Sequence, residues 1–106
     1  MIQPLISGDL VREIKKVVGS VWPDEQVILF GSQARGKAGP ESDIDLLILV
    51  RGPITPTNRE QLNESLYDLE LNRGVILSTL VYDVTDWGTR RATPLHQHIE
   101  REGITL

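Results

Sequence analysis

Two aspartates, Asp43 and Asp45, stand at the head of an otherwise apolar stretch, DIDLLILV. They are two residues apart, so in an extended chain both carboxylates leave the same face. Two like charges a few ångströms apart repel each other unless a cation or hydrogen-bond donors offset them. Oxygen ligands with open positions suit Mg²⁺, which keeps waters and shares its shell with phosphates. In the plainer reading, Ser42-Asp43 caps a turn and Asp45 is solvated.

Upstream, Gly31-Ser32 stops the short run QVILF. A turn that leaves a buried strand and opens a helix offers free N–H groups, and here the Ser32 hydroxyl, to an anionic phosphate. The missing Gly31 side chain lets that phosphate come close. An ordinary turn with a serine cap has the same sequence. Next to Asp43 and Asp45 the phosphate reading is the stronger one, a nucleotide–metal site shared by two neighbouring elements. Gly31 to Lys37 also approaches a P-loop. However, Ala38 stands where that motif needs Ser or Thr, and Gly39-Pro40 blocks the long helix that should follow. The Gly-x-Ser-x-Gly elbow of a serine hydrolase is absent.

The elements that must hold these residues are legible as patterns. Leu10, Val11, Ile14, Val17, Val18 and Val21 recur at helical spacing, which predicts an amphipathic helix capped by Ser7 or Asp9 and finished before Pro23. Gln26–Phe30 reads as a buried strand, and the Gly-rich segment after it has room for a short helix begun by Ser32. Asp43–Val50 is a second strand, apolar on both faces beyond Asp45 and therefore central. Thr57 with Glu60 forms a capping box for a helix through Asn72, ended by Gly74. Val75–Tyr82 is a third strand. Thr85 or Asp86 caps a short helix with Trp87, and Thr93-Pro94 opens a last one to about Arg101, closed by Gly103. The order α-β-α-β-α-β-α predicts an α/β (α+β) fold, a small mixed sheet with helices packed against it.

The chain has 106 residues, which predicts a single domain, 1–106, able to bury a core without staples. It has no cysteine, so disulfides, thiolate metal sites and cysteine nucleophiles are excluded. Eleven Lys+Arg against fifteen Asp+Glu give a net charge of −4, a poor basis for general nucleic-acid or membrane-surface binding. No apolar run approaches the ~20 residues of a membrane span, and the N-terminus lacks the order of a signal peptide. A cytoplasmic protein is expected.

The segment GSQARGKAGPESDIDLLILV, Gly31 to Val50, resembles the signature of the nucleotidyltransferase superfamily related to DNA polymerase beta. Its minimal (MNT) branch has Gly-Ser, ten residues, then Asp-x-Asp. Here ten residues separate Ser32 from Asp43, and Arg35-Gly36 and Ser42-Asp43-Ile44-Asp45-Leu46 follow the branch. The leading helix, the third strand and HIEREGITL are also similar to small members. The resemblance implies transfer of a nucleoside monophosphate from an NTP to a hydroxyl. Gly31 and Ser32, with Ser42, would hold the triphosphate, and Asp43 and Asp45 would bind Mg²⁺ and carry catalysis. Arg35 and Lys37 would add positive charge near the phosphates, or else lie in a solvated loop.

Many active members supply a third carboxylate from the next strand. In this sequence that position is Ser78, which offers neither an anionic ligand nor a useful base at neutral pH. Asp83 is five residues further on and faces the other way in a regular strand. The resemblance extends to the antitoxin half of HEPN–MNT pairs, implying an NTP, most simply ATP, as substrate and a HEPN-type protein as partner and AMP acceptor. Two expectations stand side by side. One is an Mg²⁺–ATP-dependent AMP transferase acting on its partner. The other is a weak or inactive module that neutralises its partner by binding. Transfer to a small molecule such as an aminoglycoside fits less well, because those enzymes are larger. His96 and His98 are expected on the surface or at a partner contact, Trp22 and Trp87 in the core or at an interface. An oligomer contact is compatible with the sequence.

Overall fold

The computed structural model describes residues 7–31 and 43–106. Helix α1, Gly8–Val21, starts where Ser7 Oγ accepts the Leu10 N–H at 3.1 Å, which settles the cap on Ser7. Its stripe of Leu10, Ile14 and Val18 is buried. Just past its end Trp22 is buried too, and its indole Nε1 donates to the Pro53 carbonyl at 3.3 Å. Strands β1, Gln26–Phe30, and β2, Ile44–Val50, follow, with Asp43 immediately outside β2. The short helix expected from Ser32 lies outside the described residues.

Helix α2, Pro56–Arg73, is capped two residues earlier than expected. The box is built by Thr55, not Thr57: Thr55 Oγ1 accepts the Asn58 N–H at 3.1 Å and Asn58 Oδ1 accepts the Thr55 N–H at 2.7 Å. Pro56 decides between the two threonines. At the first helical position its fixed φ suits the helix and its missing N–H leaves nothing unsatisfied. Gly74, at φ 65°, ends the helix in the left-handed conformation. Strand β3 runs Leu77–Asp83, starting later than expected, and Glu70 Oε2 accepts the Leu77 N–H at 3.0 Å.

The short helix α3, Val84–Gly88, is capped by Asp83 instead of Thr85 or Asp86. Helix α4, Pro94–Glu102, has Thr93 as its cap and Gly103 at its end. One further strand has no counterpart in the sequence reading: β4, Ile104–Thr105, too short to carry a period.

The sheet order is β3-β2-β1-β4. Strand β1 is antiparallel to both β2 and β4, while β2 and β3 are parallel, so the sheet is mixed as expected and β2 is interior. Alternate β2 residues serve two cores. Ile44, Leu46, Ile48 and Val50 join Leu10, Ile14 and Val18 of α1 and Leu62, Leu66 and Leu69 of α2. Leu47 and Leu49 face the other way and join Trp87 of α3 and Ile99 of α4. Each such fully buried aliphatic side chain contributes roughly 1.5–3 kcal/mol, and β2 concentrates them. That strand is the rigid support for whatever its first residues carry.

Candidate active site

Asp45 lies on the face of Leu47 and Leu49, at the end of the row where the apolar core stops. In the ladder it pairs with Phe30 on β1 and with Ser78 on β3, so the three residues cross the sheet on one face. One row inward the same alignment gives Ile28, Leu47 and Leu80. Thus Asp45 is half-buried beside an apolar floor, while Asp43, just ahead of the strand, is exposed. Ser78 Oγ donates to Asp43 Oδ2 at 3.4 Å, which brings the serine and both carboxylates together.

Electrostatics follow from that placement. Burial pushes the Asp45 carboxyl above the ordinary aspartate value, and the charge of Asp43 pushes it further. Gly31 adjoins the same group. Its φ is 75°, and a Cβ built there would collide with the Asp45 carboxylate. Only glycine satisfies both the backbone and the contact. The structure therefore gathers Gly31, Asp43, Asp45 and Ser78 at one end of the sheet. Ser32, Arg35, Lys37 and Ser42 lie outside the described residues.

Asp83 and Glu70 are engaged elsewhere. Asp83 pairs in register with Val50, five residues along β2 from Asp45 and so roughly 16 Å away. Its carboxylate accepts the Thr85 N–H at 2.9 Å and the Gly52 N–H at 3.3 Å, and these bonds hold its pKa below the usual value. Glu70, on α2, serves the start of β3. Among the described residues no three His, Cys, Asp or Glu side chains converge as a metal site.

His96 corrects the sequence reading. It is buried, not on the surface, and its ring stacks on Trp87 with centroids 4.6 Å apart and planes 23° from parallel. The signal was available: His96 and Ile99 are three apart and share the inward stripe of α4. His98 is half-buried, with Nε2 3.3 Å from Glu102 Oε2. Trp22 and Trp87 are both in the core. The hydrogen bond from Ser78 to Asp43 was also missed, because no local pattern announces a contact made across a strand pair.

A family model described as "Nucleotidyltransferase domain" matches residues 11–96. The chain belongs to the nucleotidyltransferase domain family. This nucleotidyltransferase is 33% identical over 79 residues to a Methanocaldococcus jannaschii chain assigned by name as a protein adenylyltransferase, covering 73% of the present chain and 80% of that one. It is also 33% identical over 84 residues to MntA of Haemophilus influenzae, assigned in the same way, covering 79% and 68%. A crystal structure described as a toxin-antitoxin with AMP-PNP shares the fold, with a TM-score of 0.62 and 21% identity over 89% of this nucleotidyltransferase and 69% of that chain. Among the described residues no helix is long and apolar enough to cross a membrane.

Proposed function

We propose that this nucleotidyltransferase is a cytoplasmic, Mg²⁺-dependent enzyme that moves AMP from ATP to a hydroxyl of a HEPN-type partner protein and so acts as its antitoxin. The observation that carries the reading is the pairing of Asp43 and Asp45 against Gly31 at one end of a rigid strand. The two relatives assigned as protein adenylyltransferases support a protein acceptor. The toxin-antitoxin with AMP-PNP shares the fold and supports nothing finer by itself.

The donor set fits a divalent cation. Asp45 carries the cost of burial and of a like charge beside it, and a cation held by Asp43 and Asp45 would relieve both. When bound, Mg²⁺ would supply neutralising charge for the triphosphate and for the departing pyrophosphate. Gly31 leaves room for the Asp45 carboxylate, and the Gly31 backbone with Ser32 and Ser42 would be polar donors to the triphosphate, with Arg35 and Lys37 as added positive charge. Ser78 holds the Asp43 carboxylate through its hydroxyl. In the transfer, the acceptor oxygen bonds to the α-phosphorus and the bond to the bridging oxygen breaks. Pyrophosphate leaves with that electron pair, and the hydroxyl proton passes to water. The chain's part is positioning and electrostatic stabilisation.

Ser78 favours a second reading, a weak or inactive module that neutralises its partner by occupying a surface. Calorimetric titration with a non-hydrolysable ATP analogue, with and without Mg²⁺, separates the two. Mg²⁺-dependent binding that disappears in the Asp43→Asn/Asp45→Asn variant is expected. No binding at millimolar nucleotide would remove the transferase reading and leave the binding module.

A further inference from the structure

A groove of about 670 Å³ opens between α3 and α4. Trp87 and His96 form its floor, and Arg91, Gln97, Glu100 and Arg101 stand along its walls. Among the described residues neither arginine has a carboxylate partner. The neighbouring Arg90 is occupied, paired with Asp86 at 3.5 Å and lying over the Tyr82 ring at 4.8 Å. Glu100, the one acid among the described residues that line the groove, is turned toward His96, with Oε1 3.8 Å from Nε2, which leaves both arginines available. A chain of net charge −4 thus presents two unpaired guanidinium groups beside an apolar floor.

The geometry points to this groove as a docking site for an acidic, amphipathic segment of a partner protein, with carboxylates on Arg91 and Arg101 and an apolar side chain on the Trp87 floor. Arginine forks suit carboxylates in paired, directional hydrogen bonds. A nucleic-acid strand is a poorer occupant. The faces of the Trp87 ring are taken by Tyr82, at 5.3 Å, and His96, so a base has nothing to stack on, and the apolar side chain of the segment meets only the small part of Trp87 left open to the groove.

The inference rests on the reading of a protein acceptor and deepens it. Trp87 packs on Leu47 and Leu49, which share a sheet face with Asp45. Leu49 is four residues from Asp45, roughly 13 Å along the strand. A partner seated in the groove therefore lies on the side of the sheet where a hydroxyl could reach the carboxylate pair.

The test is an NMR titration of the full chain with a blocked six-residue peptide, Glu-Ala-Leu-Glu-Ala-Leu, and separately with a six-nucleotide thymidine strand. Saturable shifts at the Trp87 indole and along α3 and α4 are expected for the peptide. Arg91→Glu/Arg101→Glu should weaken that binding by about tenfold or more, the loss of one charge-assisted hydrogen bond or above. Arg59→Glu, a charge reversal on α2, is the control and should leave it unchanged. Unaltered peptide binding in the groove variant, equal weakening by Arg59→Glu, shifts centred elsewhere, or tighter binding of the thymidine strand would each overturn the proposal. Asp43→Asn/Asp45→Asn should keep peptide binding while losing Mg²⁺-dependent nucleotide binding, so failure of the groove and failure of the transferase reading give different results.

Discussion

Ser78 stands directly opposite Asp45 in the parallel ladder of β2 and β3, and its hydroxyl reaches past it to donate to Asp43 at 3.4 Å. A neutral donor therefore occupies the place from which a third carboxylate would complete an acidic cluster. It holds Asp43 without adding charge.

Ser78→Asp tests what that substitution does to the site. A third carboxylate beside Asp43 and Asp45 adds repulsion, so the variant should melt a few degrees lower in EDTA, on the order expected for about 1 kcal/mol in a domain this size. Mg²⁺ should recover the loss and raise the melting temperature more than it does in the wild type. Equal Mg²⁺ responses in the two proteins would show that residue 78 does not face the metal.

Asp45 has a pH signature of its own. Its folded pKa is raised, first by burial and then by Asp43, so the ionised form opposes folding. That penalty is present above the raised pKa and fades as acid protonates the group. Asp45→Asn should therefore be more stable than wild type at pH 7 in EDTA. The difference should shrink as pH falls through the raised folded pKa toward the ordinary aspartate range, as followed by thermal melts across pH.

Gly74 and Gly31, two of the three described glycines with positive φ, give an internal comparison. Alanine at Gly74 meets open space, so it suffers only the backbone strain of φ 65°, about 1–2 kcal/mol. Gly31→Ala has similar strain, and its Cβ also runs into the Asp45 carboxylate. Urea midpoints should show a larger loss at Gly31, and Mg²⁺-dependent nucleotide binding should fall for that variant alone.

Asp83 works in the opposite sense to Asp45. Bonds from Thr85 and Gly52 depress its pKa, so its contribution is present above the unfolded value and is lost as pH falls through the folded one. Asp83→Ala should be less stable than wild type at neutral pH. The gap should close in acid, measured by denaturant titration at several pH values.

How much of this was legible in the sequence depends on the range of the signal. Helix α1 could be read from six apolar residues at helical spacing, and the central place of β2 from its apolar run on both faces. The Asp43–Asp45 pair and Gly31 were legible because they are local, and the structure brings them together. Contacts between distant segments were not. Two threonines compete to cap α2, and the proline between them decides. The inward stripe of α4 announces that His96 is buried, but not its stacking on Trp87, nine residues earlier in a different helix. Nothing in Ile104-Thr105 announces a strand until β1 is there to receive it.

That last pairing sets an order in time. Strand β1 is interior, yet one of its edges is filled by residues made long after it: Ile28 pairs with Thr105, Leu29 with Ile104, and the Val27 carbonyl accepts the Leu106 N–H at 2.8 Å. Lys15 Nζ, on α1, donates to the Leu106 carbonyl at 3.1 Å. On the ribosome β1 and β2 can meet early, but the outer amides of β1 wait until residues 104–106 have emerged. Contacts so far apart in sequence form slowly, because a long loop must close before they reward it. The strand that leads into Gly31 thus gains its β2 partner early and its other partner only when β4 arrives, and until then a nascent chain exposes a pairing edge.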